Sequence, residues 1–508
     1  MDRKISRALI SVFHKDGLEP LVQQLFNLGV EILSTGGTQR AIEAMGLPVT
    51  SVESVTGAAE MLGGRVKTLH PLVFGGILSR RGHASDDVDV LEHGIGPLDL
   101  VVVDLYPFEE TLAGGGSHEE IVEKIDIGGI ALIRAAAKNF NDVVVIPSQG
   151  LYGDLLEQIQ DNATTDLAFR KRMAGEAFGV SSHYDAAIGT WMRSSGDSEL
   201  HVKHCMGREL RYGENPHQSG QFFGDLDAIF EQRAGKALSY NNLLDVDSAV
   251  SLMAEFRNEE PTFAVLKHNN ACGIATRSNI AQAFDDALAG DPVSAFGGVL
   301  IANRPIDLKT AEAIHKLFYE VLIAPDFDAD AQALLTQKSK RVLLVQKSWP
   351  TPEGDRIVRS ALGGYLVQAP DHKTEQTSEF ELRTEQQASA EQLVDLGFAL
   401  KLVKHTRSNT VVLAKGGQLL ASGTGQTSRV DALNQAIDKA GRMGFDLRGA
   451  VMASDAFFPF PDCVEIAHTA GIDAVVQPGG SVKDGLSIDF CNAHGVSMYF
   501  TGIRHFKH

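Results

Sequence analysis

An alternation of short apolar strands with amphipathic helices, beginning almost at the first residue, constrains this chain more than any other feature. ALISVF (8–13) is followed by GLEPLVQQLFNLG (17–29), where Leu18, Leu21, Leu25 and Leu28 return at helical spacing. VEILSTGGT (30–38) runs a strand into a glycine turn, with a helix expected from about Gln39. LDLVVVDLYPF (98–108) opens almost without a polar side chain, as a parallel strand covered on both faces does, and NDVVVIPS (141–148) repeats the pattern. This rhythm predicts an α/β unit with an open, mostly parallel sheet over roughly the first 150 residues.

From Leu151 to Trp191 the pattern turns helical and polar, with no strong strand. The irregular stretch MRSSGDSELHVKHCMGREL predicts a linker over 192–207, separating a unit 1–191 from a second region 208–508. Strands of that region include FAVLKH, GGVLIAN, RVLLVQ, NTVVLAK, AVMASD, AVVQP and VSMYF, and AKGGQLLASG predicts a hairpin turning at Gly416-Gly417. Roughly 300 residues are many for one core, so two α/β subdomains are expected, divided near residues 365–385. The acidic, Gln-rich stretch TEQTSEFELRTEQQ is expected to be a solvated face or loop.

The net charge of −19 argues against a broad nucleic-acid or membrane-binding surface. Anion binding would have to use local pockets of Arg, Lys and backbone N–H groups. No apolar run approaches the roughly 18 residues of a membrane span. MDRKISRALISVF superficially resembles a signal peptide, but its apolar run stops at His14, Lys15 and Asp16 and is expected to be a strand. Cys205, Cys272, Cys463 and Cys491 form no CxxC pair, so neither a metal cluster nor a disulfide framework is expected and a reducing cytoplasm fits.

Several strings could carry chemistry. STGGT (34–38) stands where a strand should end and a helix begin, which suits phosphate, although a plain tight turn explains it equally well. GxGxxG does not follow the first strand and GxxxxGK[ST] does not occur, which lowers dinucleotide and P-loop readings. GRVKTLHP sets Arg65 and Lys67 beside Thr68, either a surface charge pair or an ordered anion-binding loop. IDIGG leads into a helix whose Arg134 and Lys138 share one face; salt bridging in solvent is the usual arrangement, but the surrounding Ile, Leu and Ala residues suggest instead that these charges lie partly buried, where they need a partner or a ligand. LRYGENPHQ places Arg211 and Tyr212 at a polar turn. Lys267-His268 ends the strand FAVL and enters NNACG, where the chain leaves the strand and both side chains can line one pocket. HTRSNT, GTGQTSR, SDAFFPFPD and QPGGS punctuate further strand ends, where ligands of open α/β sheets sit.

With these strings in hand, the chain resembles the bifunctional AICAR transformylase/IMP cyclohydrolase family over essentially its whole length. GGRVKTLHP, IDIGG…RAAAKN, RYGENPHQ, KHNNACG, SAFGG, SDAFFPF and QPGGS match in the same order and at fitting spacings. The resemblance implies an N-terminal methylglyoxal-synthase-like domain of Rossmann type with cyclohydrolase activity. It implies a C-terminal transformylase of two cytidine-deaminase-like subdomains. It also implies 10-formyltetrahydrofolate as formyl donor, AICAR, formyl-AICAR and IMP as ligands, and a homodimer with transformylase sites between subunits; it admits a potassium ion.

For the transformylase the resemblance gives Lys267 and His268 catalytic roles together with Asn242. Arg211, Tyr212, Asn409, Arg429, Phe457 and Arg504 bind the nucleotide, and Gly297, Glu320, Asp462, Gly479 and Gly480 complete the pocket. For the cyclohydrolase it gives Lys67, Tyr106, Asp126 and Lys138 as the catalytic set, with Lys138 the proton donor and acceptor. Ser11, Lys15, Thr35, Gly36, Gly37, Thr38, Arg65 and Thr68 hold phosphate and ribose. The chain departs from the family in SVFHK for SVSDK, DLYPF for NLYPF and NNACG for an NPCG-like string, so Phe13 stands for a hydroxyl and Asp104 for an amide. Two other readings differ in what they require. A zinc deaminase needs HxE with PCxxC, and PCxxC does not occur. A nucleotide-sensing regulatory N-terminal domain would keep the phosphate loop without needing Lys67, Asp126 and Lys138 together.

Overall fold

The computed structural model describes residues 2–193, 207–349 and 356–508. The chain divides into two compact units, Met1–Cys205 and Met206–His508. Most of the linker expected over 192–207 lies outside the described residues.

In the first unit five parallel strands stand in the order Thr50–Ser51, Glu31–Ser34, Arg7–Ser11, Leu100–Val103, Val144–Ile146. Leu100–Val103 is buried at every residue because its alternate side chains enter different cores. Leu100 and Val102 join Ala8, Ile10, Ile32 and Val144 on one face. Val101 and Val103 join Leu9, Leu33 and Val145 on the other. The helix Leu18–Asn27 covers the first face with Leu18, Leu21, Val22 and Leu25, the spacing the sequence displays. It is entered through Gly17, held at φ +70. Gly36–Ala44 starts three residues earlier than expected, taking both glycines of STGGT into its first turn. The segment after Leu151 holds only a two-residue strand, in keeping with the expectation of no strong strand. Thr164–Thr165 pairs antiparallel with Arg3–Lys4 before the long helix Leu167–Met192.

The second unit is built on a twelve-stranded sheet. One half runs Phe230–Ala234, Val342–Gln346, Tyr319–Ala324, Gly298–Ala302, Thr262–Lys267, Asn270–Thr276. The other continues with Gln418–Gly423, Val411–Lys415, Val451–Ser454, Ala474–Gln477, Ser497–Phe500, Glu381–Leu382. Read outward from the centre, each half is a hairpin, three successive strands on its far side, the last two parallel to their neighbours, and an antiparallel edge strand that comes first in the chain. The halves meet at one antiparallel pair, Ala275 with Gln418. One sheet face carries a core shared by both halves beneath the helices Tyr240–Ala254 and Ala390–His405. The opposite face carries a separate core for each half.

The repeat extends to single residues. Ser239 and Ser389 cap the two helices with capping boxes closed by Asn242 and Gln392. Each hairpin has a register shift before its turn, between Val265 and Leu266 and between Leu413 and Ala414. Lys267 pairs with Asn270 across one turn and Lys415 with Gln418 across the other. The Gln-rich stretch is less solvated than expected, because Glu375 is buried against His505 and Glu381–Leu382 pairs at the sheet edge. Among the described residues no helix is long and apolar enough to cross a membrane.

Candidate active sites

In the first unit the ends of Arg7–Ser11 and Leu100–Val103 and the starts of two helices surround a cavity of about 780 Å³. Ser11, Lys15, Thr35, Gly36, Gly37, Thr38, Arg65, Lys67, Thr68, Tyr106 and Asp126 all line it. Gly36–Ala44 begins at Thr35 and Gly128–Lys138 at Ile127, and neither cap residue gives its helix a side-chain bond. Helix starts of this kind leave backbone N–H groups and a positive dipole end for an anion. Thr38 fixes the wall by accepting the Val12 N–H at 3.1 Å and donating to the Val12 carbonyl at 2.8 Å. Lys67 Nζ lies 3.3 Å from Glu60 Oε2, and Arg65 pairs with Glu123.

Asp126 is held by backbone. Its Oδ1 accepts the Gly129 N–H at 2.7 Å, and its own N–H donates to the Tyr184 hydroxyl at 2.9 Å. Burial pushes its carboxyl above the usual carboxylate range, against the N–H groups of Gly129 and Tyr106, which favour the ion. Burial lowers the Lys15 ammonium, with the Asp104 charge opposing it. Lys138 stands apart. It is the last residue of Gly128–Lys138, exposed, and one helix length of about 15 Å beyond the glycines at the cavity. Arg134 is likewise exposed, bonded to Ser181 Oγ and lying over the Phe178 ring, so the partly buried face expected for this pair is corrected.

Asp104 and Lys124 also line this cavity. The Asp104 carboxylate accepts the backbone N–H groups of both Phe13 and His14 and meets His14 Nδ1 at 3.0 Å. Phe13 packs edge-on against Tyr106, with Lys124 Nζ 5.2 Å from its ring centre. No local motif announces this, since the partners lie about ninety residues apart in sequence.

In the second unit Lys267 ends its strand and donates to the Phe296 carbonyl at 2.8 Å, beside Gly297 at φ +74. His268 and Asn269 form the turn, both left-handed at φ +52 and +64. Two-residue hairpin turns of this hand favour glycine or asparagine, and a histidine there is strained. The Asn269 N–H donates to Asp245 Oδ1 at 2.7 Å. Burial raises the Asp245 carboxyl, while that bond and the charges of His268 and Lys267 oppose the rise. Asn242 lies a turn earlier on Asp245's helix, its Oδ1 used in the cap. Arg211 and Tyr212 sit in the loop between the paired strands Gly207–Leu210 and Gly220–Phe223, the guanidinium over the ring. That loop touches the helix start where Asn241 Nδ2 donates to the Glu214 carbonyl. Glu320 pairs with Lys236 at 2.8 Å.

A second set gathers around Asp455, a fully buried carboxylate missing from the sequence reading although SDAFFPF pointed to its neighbourhood. Asp455 holds Arg429 at 2.7 Å, and Arg429 also donates to Asn409 Oδ1 at 2.9 Å and the Phe457 carbonyl at 3.2 Å. Gln477 Oε1 accepts the N–H groups of Phe458 and Gly479. Gly479, at φ +72, packs so closely on the Phe500 ring that no side chain fits, and Gly480 donates to Asp484. Asp462 opens the helix Asp462–Thr469, and Arg504 is exposed over Phe506. Strand register places both sets along one edge of the sheet. Leu266 is paired with Val299, and Val411 with Gly423 and Ser454.

Known proteins give this geometry a family. The AICARFT/IMPCHase bienzyme profile matches residues 136–439 and an MGS-like domain profile matches 17–131. The chain is similar to "Bifunctional purine biosynthesis protein PurH" of Bacteroides thetaiotaomicron, 55% identical over 507 residues covering 100% of this chain and 99% of that one. The protein of the same name from Aquifex aeolicus is 46% identical over 99% of this chain and 100% of its own. With a bienzyme profile across both units and full-length relatives at these identities, the chain belongs to the AICARFT/IMPCHase bienzyme family, enzymes of purine biosynthesis with transformylase and cyclohydrolase activities.

Proposed function

We propose that the cavity of the first unit closes the purine ring and that the His268 turn of the second unit transfers the formyl group from 10-formyltetrahydrofolate to AICAR. The observation that carries the first half is the meeting of Lys67, Tyr106 and Asp126 in one cavity with open helix starts. The phosphate of formyl-AICAR sits on Thr35–Thr38 and Lys15, with Arg65 and Thr68 beside it. Ring closure joins the carboxamide nitrogen to the formyl carbon and releases water. Holding the two ends together supplies much of the rate. Lys67 offers positive charge to the oxygen that leaves, and Asp126 receives or returns a proton. Lys138, exposed at the far end of its helix, takes no part in this proposal within one chain.

In the transformylase the AICAR amine is conjugated with its ring and is a poor nucleophile. His268 takes its proton as it attacks the formyl carbon, and Lys267 stabilises the tetrahedral oxyanion or protonates the departing folate nitrogen. Arg429, Asn409, Phe457, Arg211, Tyr212 and Arg504 hold the nucleotide. Asn409 precedes a strand three places along the sheet from that of Lys267, about 14 Å at about 4.8 Å per strand. That gap supports a homodimer in which a second copy completes each site. So does the hairpin Ile357–Ala361 with Gly364–Gln368, whose Ile357, Val358, Leu362, Tyr365, Leu366 and Val367 are all exposed. A lone hairpin with this much apolar surface needs a partner.

Three buried cysteines without disulfides agree with a cytoplasmic setting. Among the described residues, the only grouping of three potential His, Cys or carboxylate metal ligands is the exposed Asp89, Glu92 and His93. That grouping lies at the surface, and no step is assigned to an ion. The test follows disappearance of formylfolate and appearance of IMP with the full chain supplied with AICAR. One IMP formed per formylfolate consumed is expected, and formylfolate use without IMP would reduce the first unit to a nucleotide sensor.

A further inference from the structure

The repeat within the second unit supplies an internal comparison for the turn that carries His268. Both helices over the shared core bear an aspartate six residues after the capping serine, Asp245 after Ser239 and Asp395 after Ser389. Both aspartates bond the hairpin turn beneath them. Asp395 accepts the N–H groups of Gly416 and Gly417, each at 2.7 Å. Asp245 accepts the Asn269 N–H alone, at 2.7 Å. The turns have the same hand, with φ +58 and +65 at the glycines against +52 and +64 at His268 and Asn269. Glycine reaches that conformation without strain and asparagine tolerates it, whereas histidine is strained there. In one half the device therefore holds a relaxed turn. In the other it holds a strained turn whose first residue projects an imidazole at a sheet edge.

We propose that Asp245 is a positioning residue of formyl transfer, its carboxylate clamping the Asn269 N–H so that the turn stays left-handed and His268 stays aimed at the substrate. Asp245 touches neither substrate nor reacting atoms and acts through the backbone. The proposal rests on His268 being the base of the transferase. The bond works against the strain at His268, so losing it lets the turn relax and moves the imidazole. Misplacement of about an ångström costs about 10²-fold in rate. Asp395, which bonds a turn that carries no reactive side chain and does so through two N–H groups, serves as the control.

The test measures kcat for formyl transfer and KM for AICAR in the full-length protein, with folding of each variant checked by calorimetric nucleotide binding. Asp245→Ala should lose about 10²-fold in kcat with KM little changed. Asp395→Ala should keep the wild-type kcat. Asn269→Gly placed in the Asp245→Ala background should recover about tenfold, because glycine holds the left-handed turn unaided. Asp245→Leu replaces the alanine variant if that fails to fold. Wild-type kcat in the Asp245 variant beside an inactive His268→Ala would overturn the positioning role alone. A double variant no better than Asp245→Ala would do the same. Full transfer by His268→Ala would overturn the base assignment and this inference with it.

Discussion

Oδ2 of Asp104 accepts the His14 backbone N–H at 2.9 Å and also lies 3.0 Å from that residue's Nδ1, while Oδ1 takes the N–H of Phe13. The backbone N–H groups of this turn are thus taken up by an aspartate in the cavity wall. The carboxylate fixes the loop but opposes a dianionic ligand. Asp104→Asn keeps an acceptor for the backbone and removes the charge. Calorimetry should show nucleotide phosphate binding the cyclohydrolase unit several-fold more tightly, the gain shrinking as salt screens the charge. Phe13→Ser, which removes a ring packed on Tyr106 and beneath Lys124, tests whether a restored hydroxyl adds one bond of about 0.5–1.5 kcal/mol.

The proposed role of Asp126 sets stability against ring closure. Its carboxyl is raised by burial, so the folded protein binds the proton more tightly than the unfolded chain. That contribution is present below the unfolded value of about 3.9 and is lost as pH rises through the folded value. At neutral pH the ionised group therefore costs stability. Asp126→Asn should raise Tm at pH 8, with the gain fading toward pH 4, and should slow ring closure by about 10²–10⁴-fold. Thermal melts and single-turnover closure of formyl-AICAR check the two effects in the same samples.

The strands of FAVLKH, GGVLIAN, RVLLVQ, NTVVLAK, AVMASD, AVVQP and VSMYF and the turn at Gly416-Gly417 were legible in the sequence because each is fixed by local pattern, whereas Asn270–Thr276 and Tyr319–Ala324, central in the same sheet, were not singled out. The cavity of the first unit was legible from residues that cluster in short strings, Thr35–Thr38 and Arg65–Thr68. The internal repeat was not. Its halves share positions rather than residues, with His268-Asn269 in one turn where the other has Gly416-Gly417. Asp104, Asp245 and Asp455 were equally hidden as functional partners. Each is a lone carboxylate whose backbone or guanidinium partner arrives from 24 to 91 residues away, so folding, and not spacing, creates its role.

The Asp455–Arg429 pair is buried, and Asp455 also accepts the Thr410 N–H at 3.2 Å. Removing one partner of such a pair strands the other. Asp455→Ala should cost about 3–5 kcal/mol of stability. It should also raise KM for AICAR, because Arg429 loses its fixed aim. Denaturant unfolding and steady-state kinetics measure the two.

His505 gives the second unit a pH signature near its C-terminus. Burial alone would lower its imidazole, but hydrogen bonds to Glu375 and Asp371 outweigh that and raise it. The stabilisation is fully present below the unfolded value of about 6.5 and is lost as pH rises through the raised folded value. His505→Gln should therefore lower Tm more at pH 6 than at pH 9, as differential scanning of wild type and variant would record.

Independent active sites on the two units are the centre of this account, and one experiment tests them. Folded full-length wild type, Lys67→Ala and His268→Ala are given either AICAR with formylfolate or ready-made formyl-AICAR. His268→Ala should lose about 10²–10³-fold in formyl transfer yet convert supplied formyl-AICAR to IMP at the wild-type rate. Lys67→Ala should transfer formyl normally and let formyl-AICAR accumulate. Loss of both activities in either folded variant, or survival of both in each, would contradict the account.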